Sequence, residues 1–183
     1  MLKKMIVLIG MPGSGKTTVG RILAQHLKVP FVDTDQLIRD REKKPLAQIQ
    51  KEQGMQAFLA IEQQALLSLD DTPKIVATGG SAVLCEDAMT YLSMVGVVVY
   101  LDVDLIMLKK RMGDPRERGV VLGPNQTIAS VFFERRPLYQ RYANIRIRAR
   151  NTWPRKVAIQ ILQILVKKGL AEAPEIDKEK KPQ

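Results

Sequence analysis

The residues Gly10-Met11-Pro12-Gly13-Ser14-Gly15-Lys16-Thr17 follow the spacing G-x-x-x-x-G-K-[ST] in full. Glycines in such a loop let successive backbone N–H groups converge on phosphate oxygens. A helix opening directly behind it adds the positive end of its dipole. The apolar run MIVLI before the loop reads as a strand, and Val19, Ile22, Leu23 and Leu27 after it fall at helical spacing. Gly13, Ser14, Gly15, Lys16, Thr17 and Thr18 are therefore assigned to the polyphosphate of ATP. Lys16 is expected to reach the β- and γ-phosphates, and the Thr17 hydroxyl to meet Mg²⁺, a cation that prefers oxygen ligands. The alternative is a glycine-rich strand-to-helix turn with an incidental lysine.

Two further clusters follow strand-like runs. Asp33-Thr34-Asp35 ends PFVDT, and Thr78-Gly79-Gly80-Ser81 ends KIVAT. In an open α/β sheet, ligands bind beyond the carboxyl ends of the strands, which places both clusters beside the phosphate loop. An i, i+2 pair of aspartates at a strand end can aim two carboxylates at one site. One of Asp33 and Asp35 can hold a Mg²⁺-bound water while the other accepts a hydrogen bond from the attacking hydroxyl. Either aspartate alone could instead cap a helix starting near Gln36. Gly79 and Gly80 would let backbone approach a ligand closely, or serve an ordinary turn.

The elements that must position these residues are legible as an alternation. MIVLIG, PFVDT, KIVAT, GVVVYLDV and NIRIRA read as strands separated by helix-length segments. That rhythm predicts an α/β fold with three α/β/α layers around a parallel five-stranded sheet, with MIVLI and VVVY mid-sheet because they are apolar on both faces. Helices are expected over Thr17–Leu27, Met55–Leu69 and Pro154–Lys168. PRERGVVLGPNQ has no clean period and is expected to form a lid over about residues 113–126. One domain is expected over residues 1–169, with residues 170–183 as a flexible tail.

The 183 residues suit a single core. A single cysteine, Cys85, excludes an intramolecular disulfide and a thiolate metal cluster, and it reads as small packing at a helix start. No apolar stretch approaches the roughly 18 residues of a membrane span. The net charge of +10 permits a nucleic-acid partner, but Lys and Arg are spread along the chain and only 5% of residues are aromatic stacking platforms. The expectation is a cytoplasmic monomer with no nucleic-acid or membrane partner. His26, with no second histidine, is expected to face solvent or cap a helix; Trp153 could flank a nucleobase or pack in the core.

Taken in order over about Lys4 to Leu165, these motifs resemble the shikimate kinases of the P-loop, nucleoside-monophosphate-kinase-like group. The block Glu134-Arg135-Arg136-Pro137-Leu138-Tyr139 carries much of the resemblance. It implies transfer of the ATP γ-phosphoryl group to a shikimate hydroxyl, within aromatic amino-acid biosynthesis. It further implies that Arg135 binds the acceptor carboxylate, that the lid residue Arg118 reaches the phosphates, and that Arg111 and Pro154 sandwich adenine. By the same resemblance Asp33, with Thr17, would hold the metal through a Mg²⁺-bound water, Asp35 would bind the acceptor hydroxyl and assist its deprotonation, and Lys16, Asp35 and Arg118 would be the catalytic group. Asp35, Gly79, Gly80, Ser81, Arg135 and the position of Leu59 would line the acceptor site.

The chain departs from the family pattern at three places. Phe-Arg-x-x-Glu reads Phe58-Leu59-Ala60-Ile61-Glu62, so an acceptor-facing arginine becomes leucine. The third glycine of the turn is Ser81, and the lid's Arg-Pro-Leu-Leu is Arg118-Gly119-Val120-Val121. A lost charge-assisted contact is worth roughly 1.5–3 kcal/mol, enough to change a preferred acceptor. Either Arg39, Arg41 or Arg136 takes over, or the acceptor is a different hydroxy acid or polyol. A nucleotide or sugar-acid kinase, and a catalytically impaired nucleotide-binding homologue, are the remaining alternatives, with shikimate leading.

Overall fold

The computed structural model describes residues 1–112, 126–149 and 152–173. Five parallel strands form one sheet in the order β2-β3-β1-β4-β5, with β1 Met5–Ile9, β2 Phe31–Asp33, β3 Ile75–Ala77, β4 Gly96–Asp102 and β5 Ile145–Arg148. Every residue of β1 and β4 is buried, as their continuous apolar runs require of strands covered by helices on both faces. Edge strand β5 alternates buried isoleucines with exposed arginines.

Parallel strands need helical crossovers. These are α1 Lys16–Leu27, α2 Thr34–Glu42, α3 Leu46–Leu67, α4 Glu86–Val95, α5 Leu105–Met112 and α6 Ile128–Tyr142, and α7 Pro154–Lys167 follows the last strand. α1 packs against α7, and α3 against α4, which completes the three layers expected from the sequence. The register aligns the strand ends that matter. Asp33 of β2 pairs with Ala77 of β3, which pairs with Leu8 of β1. The chain therefore leaves all three strands at one edge, where the order reverses around β1.

Three boundaries differ from expectation. α2 begins at Thr34 because Asp33 itself caps it, its Oδ1 accepting from the Gln36 amide at 3.2 Å. α3 begins nine residues before Met55, at Leu46, and bends at Gly54, whose φ of 84° and ψ of 172° only glycine adopts readily. The sequence pattern therefore reported only the second limb. Leu170 and Ala171, expected to open the tail, belong to the fold. Leu170 O accepts from the Lys3 amide at 3.0 Å, and Ala171 bridges Leu2 antiparallel. Helix α7 ends within one residue of its expected end.

Among the described residues no helix is long and apolar enough to cross a membrane. His26 is half-buried in the last turn of α1, its Nδ1–H donating to Ile22 O at 2.8 Å. Gly54→Ala should lower stability by about 1–3 kcal/mol, read as a reduced urea midpoint at unchanged slope, because the kink imposes a backbone conformation costly for a side chain.

Candidate active site

The phosphate loop leaves β1 at Gly10 and enters α1 at Gly15, with left-handed backbone at Gly13 (φ 76°) and Gly15 (φ 95°). Ser14 is buried, and its Oγ has no hydrogen-bond partner among the described residues. Lys16 is 8% exposed. Its ammonium donates to Gly10 O at 2.7 Å and Met11 O at 3.0 Å. Burial lowers its pKa to about 8, with Asp35, Asp33 and Glu62 opposing that shift.

The two aspartates divide their work. Asp33 gives one oxygen to the helix cap, while Oδ2 accepts from Thr17 Oγ1 at 2.8 Å. Capping and a role beside the phosphate loop are thus compatible, and the sequence alternatives need not compete. Asp35 lies one residue into α2, its carboxyl raised above its ordinary pKa chiefly by burial and opposed by Lys16 and Arg39.

The turn after β3 fits tightly among these groups. A Cβ at Gly79 would stand 2.2 Å from Glu62 Oε1 and 2.8 Å from Asp35 Oδ1. A side chain there would have to displace one or both carboxylates. The Gly79 amide donates to Thr34 Oγ1 at 3.2 Å, and Gly80 O accepts from the Tyr139 hydroxyl at 2.6 Å. Tyr139 is buried and stacked on Tyr100 with ring centroids 5.2 Å apart, so the Pro-Leu-Tyr end of α6 holds the glycine turn in place.

These segments border a cavity of about 1060 Å³. Gly13, Gly15, Lys16, Thr17 and Thr18 line one part of it, and Asp35, Gly80, Ser81 and Arg135 another. Arg111 and Pro154 line it with Trp153, which is 82% exposed; the core-packing alternative for that tryptophan does not hold. Arg135 is 2% exposed, and its Nε has no hydrogen-bond partner among the described residues. Arg118 and nearly all of the expected lid lie outside the described residues, as does the chain after Glu172-Ala173.

Leu59 does not line the cavity. It is half-buried against the main hydrophobic core, and its carbonyl accepts from the buried Cys85 thiol at 3.5 Å. The candidate substitutes for an arginine at that position are also elsewhere. Arg41 donates to Ser68 Oγ at 2.7 Å, Arg136 lies over Phe132 and 3.9 Å from Asp102, and Arg39 donates to Gln36 Oε1 at 2.9 Å. None of the three lines the cavity.

Sequence reasoning passed over Glu62 as a site residue. It is 0% exposed, and its Oε2 accepts from the Ser81 hydroxyl at 2.6 Å. Its signal was present: Phe58, Glu62 and Ala65 fall on one helical stripe, so a carboxyl stands on the buried face of α3. Lys110, Met107 and Met112 also line the cavity without a motif to announce them. Met112 packs where a side chain at Gly13 would stand.

Burial pushes the Glu62 pKa up from 4.5 to about 7, partly offset by the Ser81 hydrogen bond, Arg135 and Lys16. A carboxyl whose folded pKa is raised contributes stability fully below its unfolded value, and loses it as pH rises through the folded value. Between about pH 4.5 and 7, Glu62 should therefore cost on the order of 3 kcal/mol that a neutral side chain does not. Thermal melts should show Glu62→Gln gaining on the wild type as pH rises through this window.

The chain is similar to known proteins over most of its length. The shikimate kinase family model matches residues 12–166. A shikimate kinase of Thermobifida fusca is 38% identical over 170 residues, covering 91% of this chain and 98% of that one. The solved shikimate kinase of Acinetobacter baumannii in complex with shikimate superposes with a TM-score of 0.85 at 30% identity, covering 92% of this chain and 96% of the other. That of Aquifex aeolicus gives 0.77 at 30% identity, covering 91% and 98%. A family model over residues 12–166 and relatives matched over about nine-tenths of the chain, around a phosphate loop on the central strand, a glycine turn on β3, two acids at and just after the end of β2 and a buried arginine from α6, place the chain in the shikimate kinase family, ATP-dependent phosphotransferases.

Proposed function

We propose that the chain phosphorylates shikimate at this edge of the sheet, with the polyphosphate at the start of α1 and the acceptor between Asp35, the turn at Gly79–Ser81 and Arg135. One observation carries the reading. Arg135 brings a buried, incompletely partnered guanidinium to the same cavity that Lys16 and Asp35 enter. A cation withdrawn from water in this way is a ready partner for an acceptor carboxylate.

The donor set near α1 suits Mg²⁺. The Thr17 hydroxyl and Asp33 carboxylate already lie 2.8 Å apart, and among the described residues no cluster of three or more His, Cys, Asp or Glu gathers for another metal. Mg²⁺ commonly takes one or two protein oxygens and completes its shell with phosphate and water. When bound it would neutralise charge on the β- and γ-phosphates.

The protein's own groups then divide the work. Lys16 leaves its carbonyl partners for the phosphates, and its charge offsets that building on the transferred group. Loop amides hold the polyphosphate. Arg111 and Pro154 flank adenine with Trp153 beside them, and Arg118 completes the phosphate end from the lid. Asp35 accepts the proton of the attacking hydroxyl, and its raised pKa brings it nearer to the range useful for a general base. Arg135 fixes the carboxylate, and the Gly79–Gly80 backbone sets the ring against the acids. A monomeric cytoplasmic enzyme remains the reading for state and location.

A coupled ADP-release assay with shikimate and a panel of other hydroxy acids tests this directly; preference for another acid overturns the acceptor. Lys16→Ala should lower kcat by about 100-fold or more. Asp35→Ala should lower kcat by about 100- to 10,000-fold while the ATP Kd, by calorimetry, changes only a few-fold. Trp153 is the sole tryptophan. Its fluorescence should respond to ADP and remain unchanged by shikimate alone.

A further inference from the structure

Position 81 carries a side chain where the family pattern has glycine, and position 59 lacks the pattern's arginine. The first of these departures meets Glu62. Ser81 lines the cavity beside Gly80 and Arg135, and its hydroxyl lies 2.6 Å from Glu62 Oε2. Glu62 has no exposed surface, and its Oε1 has no hydrogen-bond partner among the described residues. Among the described residues, the hydrogen bond from that carboxyl to the cavity wall runs through the serine.

The hydrogen bond can run in two directions, and the direction decides what Ser81 offers a ligand. A neutral carboxyl has an O–H to donate; an ionised one only accepts. A serine hydroxyl has one proton and two lone pairs, so a proton given to Glu62 is withheld from the cavity.

We propose that Glu62 and Ser81 form a proton-gated recognition element, in which protonated Glu62 donates to Ser81 Oγ and frees the serine proton for the acceptor's carboxylate beside Arg135, whereas ionised Glu62 takes the serine proton and turns lone pairs toward that carboxylate. This rests on the acceptor placement proposed above. The proton that Glu62 loses passes to solvent, and no bond of the acceptor is altered. Ser81 is the residue that touches the acceptor, and Glu62 is a positioning residue acting through it. The element gives this chain a neutral donor beside Arg135 at the cavity wall.

Groups facing Glu62 from every side leave it close to balance. Lys16 of α1 and Arg135 of α6 favour its ionised form, as does the Ser81 hydroxyl. Burial and Asp35 of α2 favour the neutral form, and burial dominates, bringing the pKa to about 7. Tyr139 of α6 and Cys85 at the start of α4 also feel the Glu62 charge, but both have pKa values raised by burial and stay neutral through this range. The shikimate carboxylate is ionised throughout, so it adds no titration of its own near neutrality.

The test is the pH profile of the shikimate KM at saturating ATP, from about pH 6 to about pH 8.5, with the ATP KM measured alongside. For the wild type the shikimate KM should rise about tenfold across this range, the size expected for losing one hydrogen bond to a charged group, whereas any change in the ATP KM, which Lys16 with its pKa of about 8 can move, should be common to the wild type and both variants. Glu62→Gln keeps an N–H donor toward Ser81 at every pH and should hold the low-pH KM throughout. Ser81→Gly removes the relay and should also give a flat profile, and it decides the matter if circular dichroism shows Glu62→Gln unfolded. A flat wild-type profile overturns the inference, as does an equal rise in Glu62→Gln or in Ser81→Gly. A wild-type protein that turns over no shikimate yields no KM at all, and that outcome overturns the acceptor assignment itself and this inference with it.

Discussion

An ammonium group withdrawn from water needs carbonyl oxygens and negative charge around it, and the carboxyl edge of this sheet is arranged to meet that demand for Lys16. Two loop carbonyls receive it directly, while Asp33, Asp35 and Glu62 surround it at longer range. Three acids exceed what one lysine compensates, even with Arg135 close by. Burial therefore raises both Asp35 and Glu62 rather than leaving them at ordinary values. The site is a coupled set of charges, and moving Lys16 toward a polyphosphate changes the balance for each acid in it.

The alternation of apolar runs with helical segments was enough to identify all five strands, because β1 and β4 are buried on both faces and carry no polar interruptions. What periodicity missed was local. The first limb of α3 is polar and ends at a backbone kink, so its apolar spacing is too brief to stand out. The start of α2 was hidden because Asp33 serves two partners with separate oxygens. Residues 170–171 look like a tail by composition, yet backbone pairing with the segment before β1 holds them.

Motif spacing pointed to the phosphate loop, Asp35, Gly80 and Ser81, and the family resemblance to Arg135; these line one cavity. Leu59 was legible only as a substitution, and a linear pattern could not show that its side chain turns to the core. Glu62 was legible as a motif letter without a role, because burial of its carboxyl depends on the turn after β3 folding over α3. The need for glycine at position 79 is of the same kind. It arises from two acids contributed by different helices, and no local propensity encodes it.

Behind the glycine turn, the sole cysteine faces the carbonyl of Leu59, buried and pushed up to about 12 by its surroundings and by Glu62. A thiol kept neutral and screened from solvent is a poor target for peroxide, nitrosating agents or maleimides. The native thiol is thus closed to such reagents, and a cysteine introduced on the surface would offer a single point of thiol-directed attachment.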